Sequence, residues 1–463
     1  MPTAIAILLY AIILFAPPVL NDGDTWSHIA VGQWIIQHHA VPWTDPFSLT
    51  RASAPWLAHE WLAELLMAIA WRIGGVSLVL VLTAAAAALA AGLLVLHLRR
   101  WLPPLAAAVT FLFAGACGAA DLLARPHILA VPALELWTAG LLIARSRGAA
   151  PSIWLLPIMA LWANLHGSFA FGLALVPPLA LEAWLADRRR RTLRAWGLFL
   201  AAAIAAAAAT PYGWQGLAFP PQLLALRHLG NIGEWRSQDF SSLPPLEFAL
   251  MALLYVCLSR GVRLPPVRLV LILGLLHMAL QHRRYGLIAA VAAPLILAEP
   301  LAHALKLHAA GRVRIALGRA ARLIPAAATL AIAVLTALRV AHPATIPDGP
   351  TAPVAALRQL PPELRTAPVF NDYAFGGLLI FDGIRPFIDA RAELYGDDGL
   401  ARYLRIIRPD RVALEEALQR WRIAWTLLPP SSPCVALLDL MPGWRRAYAD
   451  EFGVVHIRTG SVN

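Results

Sequence analysis

The chain has 463 residues, 59% of them in the hydrophobic set and only 14% charged, with a mean hydropathy of +0.64. That balance excludes an ordinary soluble domain and matches a polytopic membrane protein. The formal charge of +11 would suggest nucleic acid in a soluble protein, but here the excess sits in short loops between apolar runs, so no nucleic-acid partner is expected.

In chain order, the first apolar run, "AIAILLYAIILFAPPVL", has no basic segment before it and no A-x-A site at its end, and it reads as a retained span. Residues 21–56 then turn polar and rich in Trp and Pro. "HEWLAELLMAIAWRIGG" is short for a span and ends in Arg72 before Gly74-Gly75. It reads as an amphipathic helix lying along the interface, anchored by tryptophan. Ten further spans follow at approximately 75–98, 103–120, 127–144, 151–165, 168–186, 195–210, 245–260, 265–281, 286–303 and 323–341.

This placement aligns the charges. Seventeen Lys and Arg fall in loops on one side, among them Arg99, Arg145, Arg188 to Arg191, Arg268, Lys306, Arg312, Arg314 and Arg322. The other side holds seven: Arg51, Arg72, Arg125, Arg227, Arg236, Arg283 and Arg284. The positive-inside rule then gives a cytoplasmic N-terminus, eleven spans and an external C-terminus. From about Pro343 the composition becomes that of a soluble domain. "PVFNDYAFGGLLIF", "RPFIDARAELYG", "IAWTLLPP" and "RAYADEFGVVHIR" read as strands and turns, and "DRVALEEALQRW" as an amphipathic helix. The expected architecture is a polytopic all-α membrane domain over 1–342, with interfacial helices in its first outer loop. A small extracytoplasmic α/β domain occupies 343–463. Cys117, Cys257 and Cys434 are far apart and match no metal spacing, so no disulfide is expected.

The polar residues outside the basic loops collect at one end of the helices. Asp22, Asp24 and His28 open the first outer loop, and His59, Glu60 and Glu64 begin the interfacial helix. Asp121, Arg125 and His127 come from "GAADLLARPHILA", Asn164 and His166 from "WANLHGSF", Glu234 and Arg236 from "NIGEWRSQD", and Gln281 to Tyr285 from "LQHRRYG". Polar groups at a membrane edge usually face a cavity or one another. Paired carboxylates suit a hard divalent cation, arginines clamp a phosphate, and a carboxylate or histidine takes a proton from an acceptor. That set points to a lipid-phosphate-sugar donor, with its lipid in the bilayer and its sugar outside.

"NDGDTWSHIAVGQWIIQHHAVPWTDPFSLT", with "HEWLAELLMAIAWRIGG" and "LLARPHILAVPALELW" after it, resembles the membrane-embedded GT-C glycosyltransferases. The likeness is to bacterial proteins of the protein-mannosyltransferase and aminoarabinose-transferase type, and it covers the first 170 residues best. The resemblance implies that Asp22 or Asp24 is the catalytic or metal-binding acid and that Ala124-Arg125-Pro126 closes the second outer loop. It also implies transfer from a polyprenyl-phosphate sugar with inversion, to a glycan, lipid or protein acceptor, at a bacterial inner membrane. Many members carry Asp-Glu where this chain has Asp-Gly-Asp, so the base is Asp22 or Asp24. The expected catalytic set is Asp22, Asp24 and Asp121, with Mg²⁺ or Mn²⁺, if used, on Asp22 and Asp24. Arg125, Arg283 and Arg284 would hold the donor phosphate. His28, His59, Glu60, His127, Asn164, His166 and Tyr285 would surround sugar and acceptor.

Plainer readings stand beside these. Asp24 is a fair N-cap for a helix through Trp34, Asp121 and Arg125 have the spacing of a structural ion pair, and Gly376-Gly377 reads as a turn. Trp26, Trp34, Trp43, Trp56 and Trp61 are most simply an interfacial belt. Rivals from other classes are a transporter or lipid flippase, with His277 and Glu135 as its only candidate groups within a membrane segment, the other charges being read at helix ends, and a non-catalytic scaffold of the same fold.

Overall fold

The computed structural model describes residues 1–307, 319–408 and 410–459, so Arg312 and Arg314 lie outside the described residues. The chain begins with α1 (Pro2–Phe15), α2 (Asp24–His38) and the long α3 (Trp61–Leu98). A bundle follows: α4 (Pro104–Gly118), α5 (Pro126–Ser146), α6 (Leu155–Leu165), α7 (Phe169–Asp187), α8 (Arg190–Ala207), α9 (Trp214–Leu224), α10 (Pro245–Arg260), α11 (Pro266–Gln281), α12 (Gly286–Ala304) and α13 (Arg319–Ala341). Proline stands at the first turn of α1, α4, α5, α10 and α11, where its missing N–H removes no helical bond. Six helical stretches among the described residues are long and apolar enough to cross a membrane: Trp61–Leu98, Pro104–Asp121, Pro126–Ser146, Phe169–Asp187, Arg283–Ala304 and Leu323–Ala341. The architecture is that of a multi-pass membrane protein. Each of the eleven expected spans falls on a helix, but α1, α6 and α11 are shorter apolar segments, and α8 and α10 belong to neither group.

The interfacial helix read from the sequence is the first part of α3. Gly74 and Gly75 break it, the latter at φ +59°, a backbone region that glycine tolerates without strain. At the far end of the bundle, Arg268 is not in a loop. It is 2% exposed in α11, its Nε 3.1 Å from Glu182 and its Nη2 2.6 Å from Glu299, while Arg145 meets the same Glu182 at 2.6 Å. An arginine this far inside a helix bundle is tolerated only when paired.

The C-terminal residues add α14 (Val354–Arg358), β1 (Val369–Asn371), α15 (Gly376–Phe381), α16 (Ala392–Ile407), α17 (Arg411–Arg420), β2 (Trp425–Leu428), α18 (Pro433–Leu440), β3 (Trp444–Ala449) and β4 (Val454–Arg458). The sheet order is β1-β2-β4-β3, with β1 parallel to β2 (Val369 beside Trp425) and the other pairs antiparallel. "RPFIDARAELYG" is not a strand. The Asn371 side chain donates to Ile388 O at 2.8 Å and accepts from Phe387 N at 2.7 Å, so one amide replaces a ladder and the segment passes into α16.

This unit shares its core with the first loop. Trp26 is fully buried between Trp71 and Phe381. Trp56 is 5% exposed under the Arg391 guanidinium, 4.6 Å from its ring centre. Trp43 remains exposed. The belt expected of these tryptophans is in part a protein–protein core, because the C-terminal unit covers them.

Arg391 locks the two parts. It binds Asp45 at 2.7 Å and grips Asp389 through Nε at 2.8 Å and Nη2 at 2.7 Å, and Tyr395 donates to Asp389 at 2.6 Å. Removing one partner from a buried pair typically costs about 3–5 kcal/mol. Arg391→Ala should therefore lower thermal stability in detergent markedly, whereas Arg411→Ala, whose pair with Glu415 is exposed, should barely move it. Equal melting shifts for the two variants would show that Arg391 is no lock.

Candidate functional site

The "NDGD" stretch is shaped by backbone packing before any chemistry. A Cβ added at Gly23 would stand 2.1 Å from Ala374 O, and one at Gly377 would stand 2.1 Å from Gly23 O. The start of α2 and the start of α15 therefore touch main chain to main chain, which only glycines permit. Gly377 is this contact, Gly376 packs against Ile388 O, from which an added Cβ would stand 2.4 Å, and the pair is not a free turn. The side chain that bonds into the first turn of α2 is Asp22 and not Asp24, with Gly23 at the N-cap position. Asp22 Oδ2 accepts from Thr25 N at 3.1 Å and Thr25 Oγ1 at 3.2 Å, while Asp24 is the first residue of α2.

Both aspartates reach Arg125, the residue that precedes α5. Its Nε lies 2.8 Å from Asp22, its Nη2 pairs with Asp24, and its Nη1 lies 2.7 Å from Glu234. The other oxygen of Glu234 meets Arg284 Nη1 at 2.9 Å, and the Arg284 guanidinium sits 4.1 Å above the Trp235 ring centre. Burial pushes the Glu234 carboxyl up, but Arg284 and Arg125 outweigh burial and hold it down at about 2. The positive group shared by Asp22 and Asp24 is thus a guanidinium, standing where a divalent ion was expected.

Asp121 does not pair with Arg125. The chain runs through a 3₁₀ turn, Ala119–Asp121, and is extended at Arg125, so the four-residue spacing is not helical. The Asp121 carboxylate instead sits against the start of α12, where a Cβ at Gly286 would stand 3.2 Å from its Oδ2, and the Asp121 carbonyl accepts from His127 Nε2 at 2.7 Å. Arg283 is exposed, with no side-chain hydrogen bond or ion pair among the described residues. Tyr285 and His282 pack edge-on to Trp235, with ring centres 6.2 and 5.5 Å away.

A second grouping lies where α2 crosses α3. Gly32 permits that crossing, since a Cβ there would stand 2.0 Å from Glu64 O. His28, one turn earlier on the same face, then meets α3: Nδ1 is 3.1 Å from Glu64 and 3.7 Å from Glu60. The other oxygen of Glu60 faces His166 Nε2 at 3.3 Å and His59 Nε2 at 3.5 Å. Burial disfavours the Glu60 carboxylate, yet the imidazoles of His59, His166 and His28 hold it well below the usual carboxylate range. Burial would lower His28, but its hydrogen bond to Glu64 and the charges of Glu60, Glu64 and Asp22 raise it. Asn164 is held away from open space, accepting from Trp61 Nε1 at 2.7 Å and donating to Ala160 O and Ala209 O. Among the described residues, His28, Glu60 and Glu64 are the ones grouped closely enough to hold a metal ion.

Two acids that the sequence places in the converging polar set, Glu234 and Glu64, have no role in the expected site. Glu234 belongs to a 3₁₀ turn, Gly233–Trp235, with no periodicity to point it inward. Glu393, from the C-terminal unit, also reaches this region by accepting from Trp56 Nε1 at 3.0 Å. Alongside, α2 and α3 leave an open apolar groove of about 450 Å³ lined by Ile35, Ile36, Val41, Trp61 and Leu65.

No family model and no curated protein sequence matches the chain. Solved structures do. ArnT from Cupriavidus metallidurans bound to undecaprenyl phosphate has a TM-score of 0.55 at 16% identity, covering 99% of this chain and 98% of that one. The archaeal oligosaccharyltransferase AglB from Archaeoglobus fulgidus, in complex with an inhibitory peptide and a dolichol-phosphate, has 0.55 at 15% identity, covering 92% and 69%. Apo ArnT from Cupriavidus metallidurans has 0.54 at 15% identity, covering 98% and 96%. The fold described above is the fold of ArnT and AglB.

Proposed function

We infer that this chain, built on the GT-C fold, transfers a sugar from a polyprenyl-phosphate carrier to a glycan, lipid or protein acceptor, with inversion. The reaction would take place at the outer face of a bacterial inner membrane. One observation carries the reading: two aspartates, an arginine, a glutamate and a second arginine run in unbroken contact from Asp24 to Arg284 at one end of the bundle. The lipid phosphates named with ArnT and AglB agree with it, and the arginine asymmetry between loops supports the outer face.

In this reading Asp24 is the base. Asp22 is committed to Thr25 as well as Arg125, whereas Asp24 has Arg125 alone as its side-chain partner among the described residues. The acceptor oxygen bonds to the anomeric carbon as its proton passes to Asp24, and the bond from that carbon to the phosphate oxygen breaks. Polyprenyl phosphate leaves with the charge that Arg284 and the exposed Arg283 neutralise. Arg125, already facing three carboxylates, positions the acids. Asp121 steadies the α12 end beneath Arg283. His28, His59, Glu60, His127, Asn164, His166 and Tyr285 frame the sugar and acceptor, and the α2–α3 groove offers an apolar wall for a lipid tail. Mg²⁺ or Mn²⁺ between Asp22 and Asp24 would have to displace Arg125, so these residues do not fit a metal there and no step is routed through one. Transport draws no comparable support, since His277 is exposed and Glu135 is buried in α5 with its Oε2 unpartnered among the described residues.

Membranes containing the protein, given radiolabelled polyprenyl-phosphate sugars, should release or transfer the label. Charge-assisted hydrogen bonds contribute about 1.5–3 kcal/mol each, so Arg284→Ala should raise KM for the donor roughly tenfold or more, and Arg283→Ala should act in the same direction. Unchanged KM in both variants would remove the phosphate role from this pair.

A further inference from the structure

We propose that His28, Glu60 and Glu64 form a binding site for one divalent transition-metal ion of the Zn²⁺ class, separate from Asp22 and Asp24. One ligand atom from each lies within 4.8 Å of the others, with His28 Nδ1 3.1 Å from Glu64 Oε1 and 3.7 Å from Glu60 Oε2. Zinc–nitrogen and zinc–oxygen bonds of about 2.0–2.2 Å in tetrahedral array put neighbouring donors roughly 3.3–3.6 Å apart. The spacing already present at His28 is of that size.

A second observation is independent of the grouping. Glu64 is 3% exposed, and its Oε2 is buried with no hydrogen-bond partner among the described residues. A carboxylate oxygen withdrawn from water without a donor is costly, and a cation held by the Glu64 carboxylate would offset that cost. Among the described residues neither Glu60 nor Glu64 meets an arginine or lysine; both face histidines alone. Two carboxylates and a neutral imidazole balance one dication.

The framework is rigid. Glu60 and Glu64 are four residues apart at the start of α3 and so share a face, and the Gly32 crossing fixes His28 over them. The distal oxygen of Glu60 faces His59 and His166, the kind of outer contact that orients a ligating carboxylate. Imidazole with carboxylates suits zinc and its neighbours, whereas Mg²⁺ prefers oxygen alone and keeps its water. Three protein ligands leave one tetrahedral position open to water or a substrate atom.

The test uses the full-length protein in detergent, stripped of metal and titrated with Zn²⁺ by calorimetry, with elemental analysis after gel filtration. The wild type should retain one equivalent. Glu64→Gln and His28→Gln should each weaken binding at least tenfold, and Asp22→Asn and Asp24→Asn should leave it intact. Co²⁺ added to the wild type should give visible d–d absorption that Zn²⁺ abolishes, a reading that needs no variant to fold. Absence of both retained Zn²⁺ and the Co²⁺ band overturns the site. So does metal lost in Asp24→Asn but kept in Glu64→Gln. Because metal content is measured apart from sugar transfer, a metal-loaded protein inactive with every donor would count against the transferase reading and leave this site standing.

Discussion

Asp24→Asn is expected to abolish sugar transfer while leaving the fold in place. General-base catalysis contributes typically about 10²–10⁴-fold, and the amide keeps the size of the carboxylate but cannot take the acceptor proton. The fold should survive because Asp24 makes no capping bond and Asp22 holds the start of α2. Asp22→Asn is the matched control. Asparagine caps as well as aspartate does, so this variant should fold and lose only the Arg125 contact that orients its neighbour, a smaller drop in kcat. The measurement is kcat for label transfer in membranes at equal expression. The reverse order, with Asp22→Asn the dead variant, would move the base to Asp22. Full turnover in both would make the stretch a packed helix start and nothing more.

Arg125→Ala should be the most disruptive single change at the site. It strips the shared cation from Asp22, Asp24 and Glu234, and breaking a buried charge pair costs about 3–5 kcal/mol. Loss of stability and loss of activity should appear together. Arg125→Lys keeps the charge but not the planar fork that reaches three carboxylates at once, so it should recover stability in part and activity little. A third variant separates repulsion from lost packing. Adding Glu234→Gln to Arg125→Ala removes one of the stranded charges and should raise the melting temperature of the single variant. If Arg125→Ala melts with the wild type, the arginine is a surface anchor and the contact chain through it is not what organises these acids.

Much of the polar end was legible because chemistry that is rare in membranes stands out in sequence. Asp22, Asp24, Arg125 and Arg284 announce themselves by lying beside apolar runs, and the structure brings all four into one chain of contacts. Glu234 was harder, since a 3₁₀ turn has no period to mark an inward face. The Asp121–Arg125 spacing misled because helical neighbours were assumed where the chain is extended. Trp26 and Trp56 misled for a different reason. An amphipathic ring reads the same whether it meets lipid or a folded unit more than three hundred residues later.

The sequence alone determined that this is a helical membrane protein with arginine-rich loops, a polar end and a mixed C-terminal unit. Those properties follow from apolar length, loop charge and local periodicity, each written within tens of residues. Tertiary structure alone decided who pairs with whom. Arg125 chose Asp22, Asp24 and Glu234 over Asp121, and Gly23 and Gly377 met main chain to main chain. His28 came to rest against Glu60 and Glu64 because Gly32 let two helices cross. Such choices depend on long-range backbone approach, and a glycine in sequence does not say which distant backbone it makes room for.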